Sequence, residues 1–217
     1  MKFVKFFVLA LSILVMSCAT KRPEGATEAE VLFKEAKDLI AKSRYIQATE
    51  KLNAIRSQYP YSFYATHAEL LQADILFAQE NYAESAAAYI LFRDFHPKYE
   101  GLGYVVFRIS ESFYRQLPET YDRDLSAGVE AIKYYTELIQ TYSNTEYVKD
   151  AQSRITKIED MLEKKEIYIA DFYFKTKDYL AAKIRYQDLL VNLKDEKERP
   201  RIMARIEESE KKITPTN

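Results

Sequence analysis

One cysteine, two histidines, four glycines and no tryptophan are all that 217 residues contain of those types. A lone cysteine cannot close an intrachain disulfide, so no covalent staple is expected. His67 and His96 lie far apart with no cysteine or histidine clustered beside them, which argues against a metal site. Four glycines are too few for a turn-rich β fold, and Gly101-Leu102-Gly103 lacks the strand and third glycine of a dinucleotide loop. No serine or cysteine has a plausible base, and the carboxylates fall on solvated helix faces. No catalytic constellation, cofactor or metal is therefore expected. Charge of one sign is also missing, with 32 basic residues against 33 acidic ones. Without a basic excess there is no electrostatic footprint for nucleic acid.

What the chain has instead is eighteen tyrosines, twelve phenylalanines and an abundance of strong helix formers. That composition implies an all-α fold. The start is different in kind. Lys2 and Lys5 precede an apolar stretch from Phe6 to Met16, then Ser17 and Cys18, the layout of a secretory signal. A stretch this short falls well below the roughly 20 residues that a spanning helix needs. Val15-Met16-Ser17-Cys18 resembles a bacterial lipobox, with valine where leucine is more usual, in which the cysteine is acylated and becomes the new N-terminus. The competing reading is an incidental Cys18 in a signal cleaved elsewhere. Each buried methylene of an acyl chain contributes about 0.8 kcal/mol, so several chains attach a protein stably. Ala19 and Thr20 follow, not the aspartate that holds such proteins at the inner membrane. The expected address is the outer membrane, facing the periplasm.

Beyond the leader the sequence repeats itself. Residues 29–60 carry Leu32, Ala36, Leu39, Tyr45, Ala48, Leu52, Ile55 and Pro60. Residues 66–97 carry Ala73, Leu76, Tyr82, Ser85, Tyr89, Phe92 and Pro97. Tyr45 to Tyr82 and Pro60 to Pro97 are both 37 residues, a spacing that marks a helical solenoid. Small residues at 36, 73, 48 and 85 let helices cross closely, and each proline stands where a helix must stop. This is tetratricopeptide grammar. A third repeat has its first helix over about Tyr104–Arg115, an insertion from Gln116 to Arg123, then Ala131, Tyr135 and Leu138. A fourth has Ala170, Tyr173, Tyr179, Ala182, Tyr186 and Leu189. Residues 145–177 hold neither glycine nor proline and trace one apolar stripe, so a single long helix is expected there. A charged helix from Pro200 to about Ile213 caps the array. The layout is thus a leader (1–17), a lipidated N-terminus and tether (18–28), three repeats (29–143), and a long helix with repeat four and a terminal helix (144–213).

The combination resembles the BamD family, lipoprotein subunits of the outer-membrane β-barrel assembly machinery. The resemblance rests on Ala48, Leu52 and Ile55 with Gln58-Tyr59-Pro60-Tyr61, and on Tyr121-Asp122-Arg123-Asp124. It rests also on Asn144-Thr145-Glu146-Tyr147 with Asp150-Ala151, and on Tyr168-Ile169 leading into Ala170-Asp171-Phe172-Tyr173. It covers residues 18–195. Family members commonly carry a fifth complete repeat, whereas one helix fits after Pro200. The resemblance implies a scaffold for barrel assembly, with the barrel-forming subunit's periplasmic domains, other assembly lipoproteins and unfolded outer-membrane protein segments as partners. A secretin pilot or a cell-wall-synthesis adaptor is the other reading, although a plain array should have uninterrupted repeats.

Repeat register sets the groove positions. They are Phe33, Lys37 and Ile40 in the first unit, His67, Leu70, Asp74 and Phe77 in the second, and Phe107, Glu111 and Tyr114 in the third. Such apolar grooves with a few polar anchors suit extended aromatic segments; the competing reading is packing between repeats. Arg185 aligns with a family arginine at the contact with the barrel-forming subunit, where a guanidinium can pair with a carboxylate; a solvated helix charge is the alternative. In Asp122-Arg123-Asp124, Asp124 is placed to cap a helix starting at Leu125 and Arg123 to brace the loop, in preference to touching substrate.

Overall fold

A computed structural model describes residues 22–213; the leader and Cys18 lie outside them. Among the described residues every regular element is helical. The chain divides into two compact units, one ending at Ile75 and one beginning at Leu76.

The N-terminal unit opens with α1, Glu28–Ala41. Residues 22–27, the described part of the expected tether before α1, are fastened to that helix. Arg22 donates to Glu35 at 2.6 Å and also pairs with Glu28; Lys34 donates to the Glu24 carbonyl at 2.8 Å. Thr27 caps α1, its hydroxyl accepting from the Glu30 N–H at 3.2 Å, beside two first-turn acids that suit the positive helix end. A reversal with Ser43 at φ 55° leads into α2, Tyr45–Gln58, and α3 follows over Phe63–Ala78. Ala36, Ala48, Leu52, Ile55, Ala65 and Ala68 form the core. Ala36 and Ala48 have no exposed surface, as crossing residues must.

The C-terminal unit contains α4 (Tyr82–Phe95), α5 (Leu102–Tyr114), α6 (Ser126–Thr141), α7 (Val148–Lys175), α8 (Tyr179–Asn192) and α9 (Arg199–Ile213). Each helix from α5 onward packs on the one before it, as α2 does on α1. This consecutive pairing is the tetratricopeptide-like solenoid arrangement. Helix α5 starts at Leu102, two residues earlier than expected. Gly103 permits this, because a Cβ there would stand 2.7 Å from Thr145 Cγ2. The long helix is α7, 28 residues without a break. Glu80 and Lys177 repeat the left-handed turn of Ser43, at φ 63° and 68°, each two residues before the tyrosine that opens the next helix.

Polar joints link helices within the C-terminal unit. Tyr135 of α6 donates its hydroxyl to Glu111 of α5, and Arg154 of α7 donates to the same oxygen at 3.2 Å. Tyr186 of α8 donates to Asp171 of α7, and Arg201 of α9 meets both Asp171 oxygens at 3.0 and 3.2 Å. Tyr89 of α4 accepts from Arg108 of α5 at 3.2 Å. All three tyrosines are fully buried. Burial first, then the adjacent carboxylate, holds the Tyr135 and Tyr186 phenols above their usual range, so both remain donors. A buried hydroxyl left without a partner costs roughly 1–3 kcal/mol, which these joints avoid.

Candidate functional site

Aromatic rings gather on the N-terminal unit where α1 meets the start of α3. Phe33 lies 5.3 Å from Tyr64 and meets His67 edge-on at 6.2 Å; Phe63 lies tilted against His67 at 4.1 Å. His67 is fixed by a hydrogen bond between Nδ1 and the Phe63 carbonyl, 2.9 Å long. Phe63 is nevertheless 71% exposed and Tyr61 fully so. Half-buried Phe33 and His67 therefore support a ring that faces water, and together they make an adhesive surface for apolar side chains. Lys37 is exposed, Ile40 packs half-buried against the core, and Asp74 is half-buried. Leu70 is buried and does not line a surface, contrary to its groove assignment. Register reasoning missed Tyr61, Phe63 and Tyr64. The aromatic density of Tyr59-Pro60-Tyr61-Ser62-Phe63-Tyr64 was the available signal.

In the C-terminal unit the groove positions divide differently. Phe77 lies under the Arg108 guanidinium, 3.6 Å from ring centroid to Cζ, and Phe107 stacks on Tyr147 at 4.5 Å. Glu111, expected to face the groove, is 5% exposed and belongs to the Tyr135–Arg154 joint. A carboxylate so enclosed is structural. Tyr114 completes the same joint, accepting from Arg154 at 3.2 Å with the guanidinium 4.4 Å from its ring. Burial alone would lower the Arg154 pKa, but Glu111 and Tyr114 more than offset it and hold the pKa up.

The insertion between α5 and α6 is anchored at three points. Asp124 accepts from the Ser126 N–H at 3.1 Å and the Ser126 hydroxyl at 2.7 Å. The helix thus starts one residue later than expected, with Asp124 still bonded to its first turn. Those Ser126 bonds depress the Asp124 pKa, and a bond from Thr120 does the same for Asp122. Arg123 contributes its carbonyl, which accepts from Lys165 of α7 at 2.6 Å. Tyr121 meets Tyr168 of α7 edge-on at 6.2 Å.

Arg185 sits on α8 with 47% of its side chain exposed, 3.6 Å from Glu166. It borders a concavity between α7 and α8 whose floor includes Ile132, Leu162 and Leu189. An exposed guanidinium beside an apolar hollow can pair with a carboxylate while a neighbouring side chain fills the hollow. Among the described residues there is no metal-binding cluster, and no helix is long and apolar enough to cross a membrane.

Three relatives share much of this sequence. The chain is 29% identical to the outer membrane protein assembly factor BamD of Neisseria meningitidis serogroup B over 198 residues, 84% of this chain and 74% of the relative. It is 27% identical to the protein of the same name from Rickettsia prowazekii, covering 85% and 74%. The Vibrio cholerae protein of that name is also 27% identical, over 84% and 79%. The family model described as "YfiO: Outer membrane lipoprotein" matches residues 25–217. That match runs through every described helix, and the chain belongs to this family of outer membrane lipoproteins and not to a family of enzymes.

Proposed function

We propose that this lipoprotein works as an outer-membrane protein assembly factor within a Bam complex, receiving unfolded outer-membrane protein segments on its N-terminal unit. The observation that supports this most is the exposed Phe63 held over Phe33 and His67. Unfolded barrel strands present alternating apolar and aromatic side chains, which such a surface suits. The part of the chain from residue 144 onward serves as the partner face. There Arg185 pairs with a carboxylate on the periplasmic domains of the barrel-forming subunit, with other assembly lipoproteins alongside. Acylated Cys18 anchors the chain, and the leader, residues 1–17, is removed.

Phe63→Ser should weaken binding of a synthetic barrel-strand peptide about tenfold, within the range for losing an exposed aromatic anchor, with the melting temperature unchanged. Equal binding by the variant would refute the N-terminal assignment. Arg185→Glu should lose co-purification with the barrel-forming subunit while keeping the peptide. Recovery of only secretins or cell-wall enzymes from a wild-type pull-down would favour a pilot or cell-wall adaptor instead. Cys18→Ala should remain an unacylated precursor; normal acyl labelling of that variant would end the anchor reading.

A further inference from the structure

A second surface, on the C-terminal unit, has a chemistry of its own. Tyr121 from the insertion and Tyr168 and Phe172 from α7 line one groove, with Phe172 51% exposed. Tyr168 and Phe172 are one helical turn apart, so their rings project from the same side. The walls carry five carboxylates, Asp160, Glu163, Asp171, Asp195 and Glu198, against Lys164 and Lys175. All five are already engaged: Asp160 with Lys164, Glu163 with two backbone N–H groups, Asp195 with the Lys197 N–H, and Asp171 and Glu198 with Arg201. Counting Arg201 with the wall, the groove is still acidic.

Rings beside carboxylates or hydroxyls are how this unit holds its own arginines. Arg154 lies 4.4 Å from the Tyr114 ring while bonding Glu111, and Arg108 lies 3.6 Å from the Phe77 ring while bonding Tyr89. A planar, weakly hydrated guanidinium stacks on a ring face and still reaches carboxylates in its plane, which an ammonium cannot match.

We infer that the Tyr121–Tyr168–Phe172 groove is a docking site for an arginine-bearing segment of a partner protein. Its guanidinium stacks on the exposed rings and its charge faces the acidic wall. The site is separate from the N-terminal aromatic surface and from Arg185, so it does not rest on either assignment.

The test is fluorescence anisotropy on the mature full-length chain. The probes are a labelled decapeptide alternating arginine and phenylalanine, its lysine counterpart and its glutamate counterpart. Saturable binding is expected for the arginine peptide, weaker by roughly three- to tenfold for lysine and absent for glutamate. Tyr168→Ser combined with Phe172→Ser should reduce arginine-peptide affinity about tenfold with an unchanged melting temperature, whereas Phe63→Ser should leave it unaltered. Equal affinity for the arginine and lysine peptides would reduce the groove to diffuse charge attraction and overturn the proposal. Loss of binding on Phe63→Ser instead, or no saturable binding, would overturn it equally.

Discussion

In the N-terminal unit Leu52 stands four residues after the small crossing residue Ala48. In the C-terminal unit the matching residues are Tyr89 after Ser85, Tyr135 after Ala131 and Tyr186 after Ala182. All four are fully buried. Leu52 fills space and asks nothing of its neighbours. Each tyrosine brings a hydroxyl that must find a partner, and each finds an arginine or carboxylate on an adjoining helix. One backbone plan thus places a purely apolar residue at this position in one unit and a hydrogen-bonding one in the other. Apolar packing tolerates small slips, whereas a hydrogen-bonded joint fixes the register between helices. The helices that build the α7–α8 concavity around Arg185 are those with joints.

The largest expected effect comes from making the second region like the first. Tyr135→Leu removes ring volume and strands part of Glu111, and should cost about 2–4 kcal/mol by denaturant unfolding. Adding Glu111→Leu and Arg154→Met should restore a large share of that loss, since replacing every member of a buried polar group together is often near neutral. A triple variant no better than the single would show that the joint is mere packing. The reverse change, Leu52→Tyr, overfills a site where Lys37 stands in the repeat position of Asp74, and should cost about 1–3 kcal/mol. A neutral outcome would mean that the N-terminal unit can also accept a hydroxyl.

Smaller effects follow at the surface. Because Asp124 has a depressed pKa in the folded state, its contribution is present above the unfolded carboxyl value of about 3.9 and disappears as pH falls through the folded value. Asp124→Asn should therefore lower the melting temperature slightly at neutral pH and not at all in strong acid. A gap that persisted in acid would point to a cause other than the charge. Smallest is Lys177→Gly, which relieves a left-handed turn and should stabilise by up to about 1 kcal/mol in thermal unfolding.

The repeat plan was legible because small and large apolar residues recur in register; Ala36, Ala48 and Leu52 are buried where their spacing puts them. Helix α7 was legible because nothing between 145 and 177 could stop it. The turns at Ser43, Glu80 and Lys177 were not, since ordinary polar residues occupy left-handed positions where glycine would have announced a reversal. The polar joints were hidden for another reason. Glu111 and Arg154 are 43 residues apart, and no local pattern links a carboxylate to a distant arginine. Glu111 was read as a groove residue because register gives direction only to within a face. Phe63 was missed because it lies at a helix start, outside the repeated positions.

The fastening of Arg22 to α1 sets a length. With Cys18 as the proposed lipid carrier, four chain steps separate the anchor from Arg22, a reach of at most about 14 Å when fully extended. That is less than half the roughly 30 Å thickness of a bilayer's hydrocarbon core. On the proposed anchor, the start of the N-terminal unit is therefore leashed within one short radius of the lipid surface.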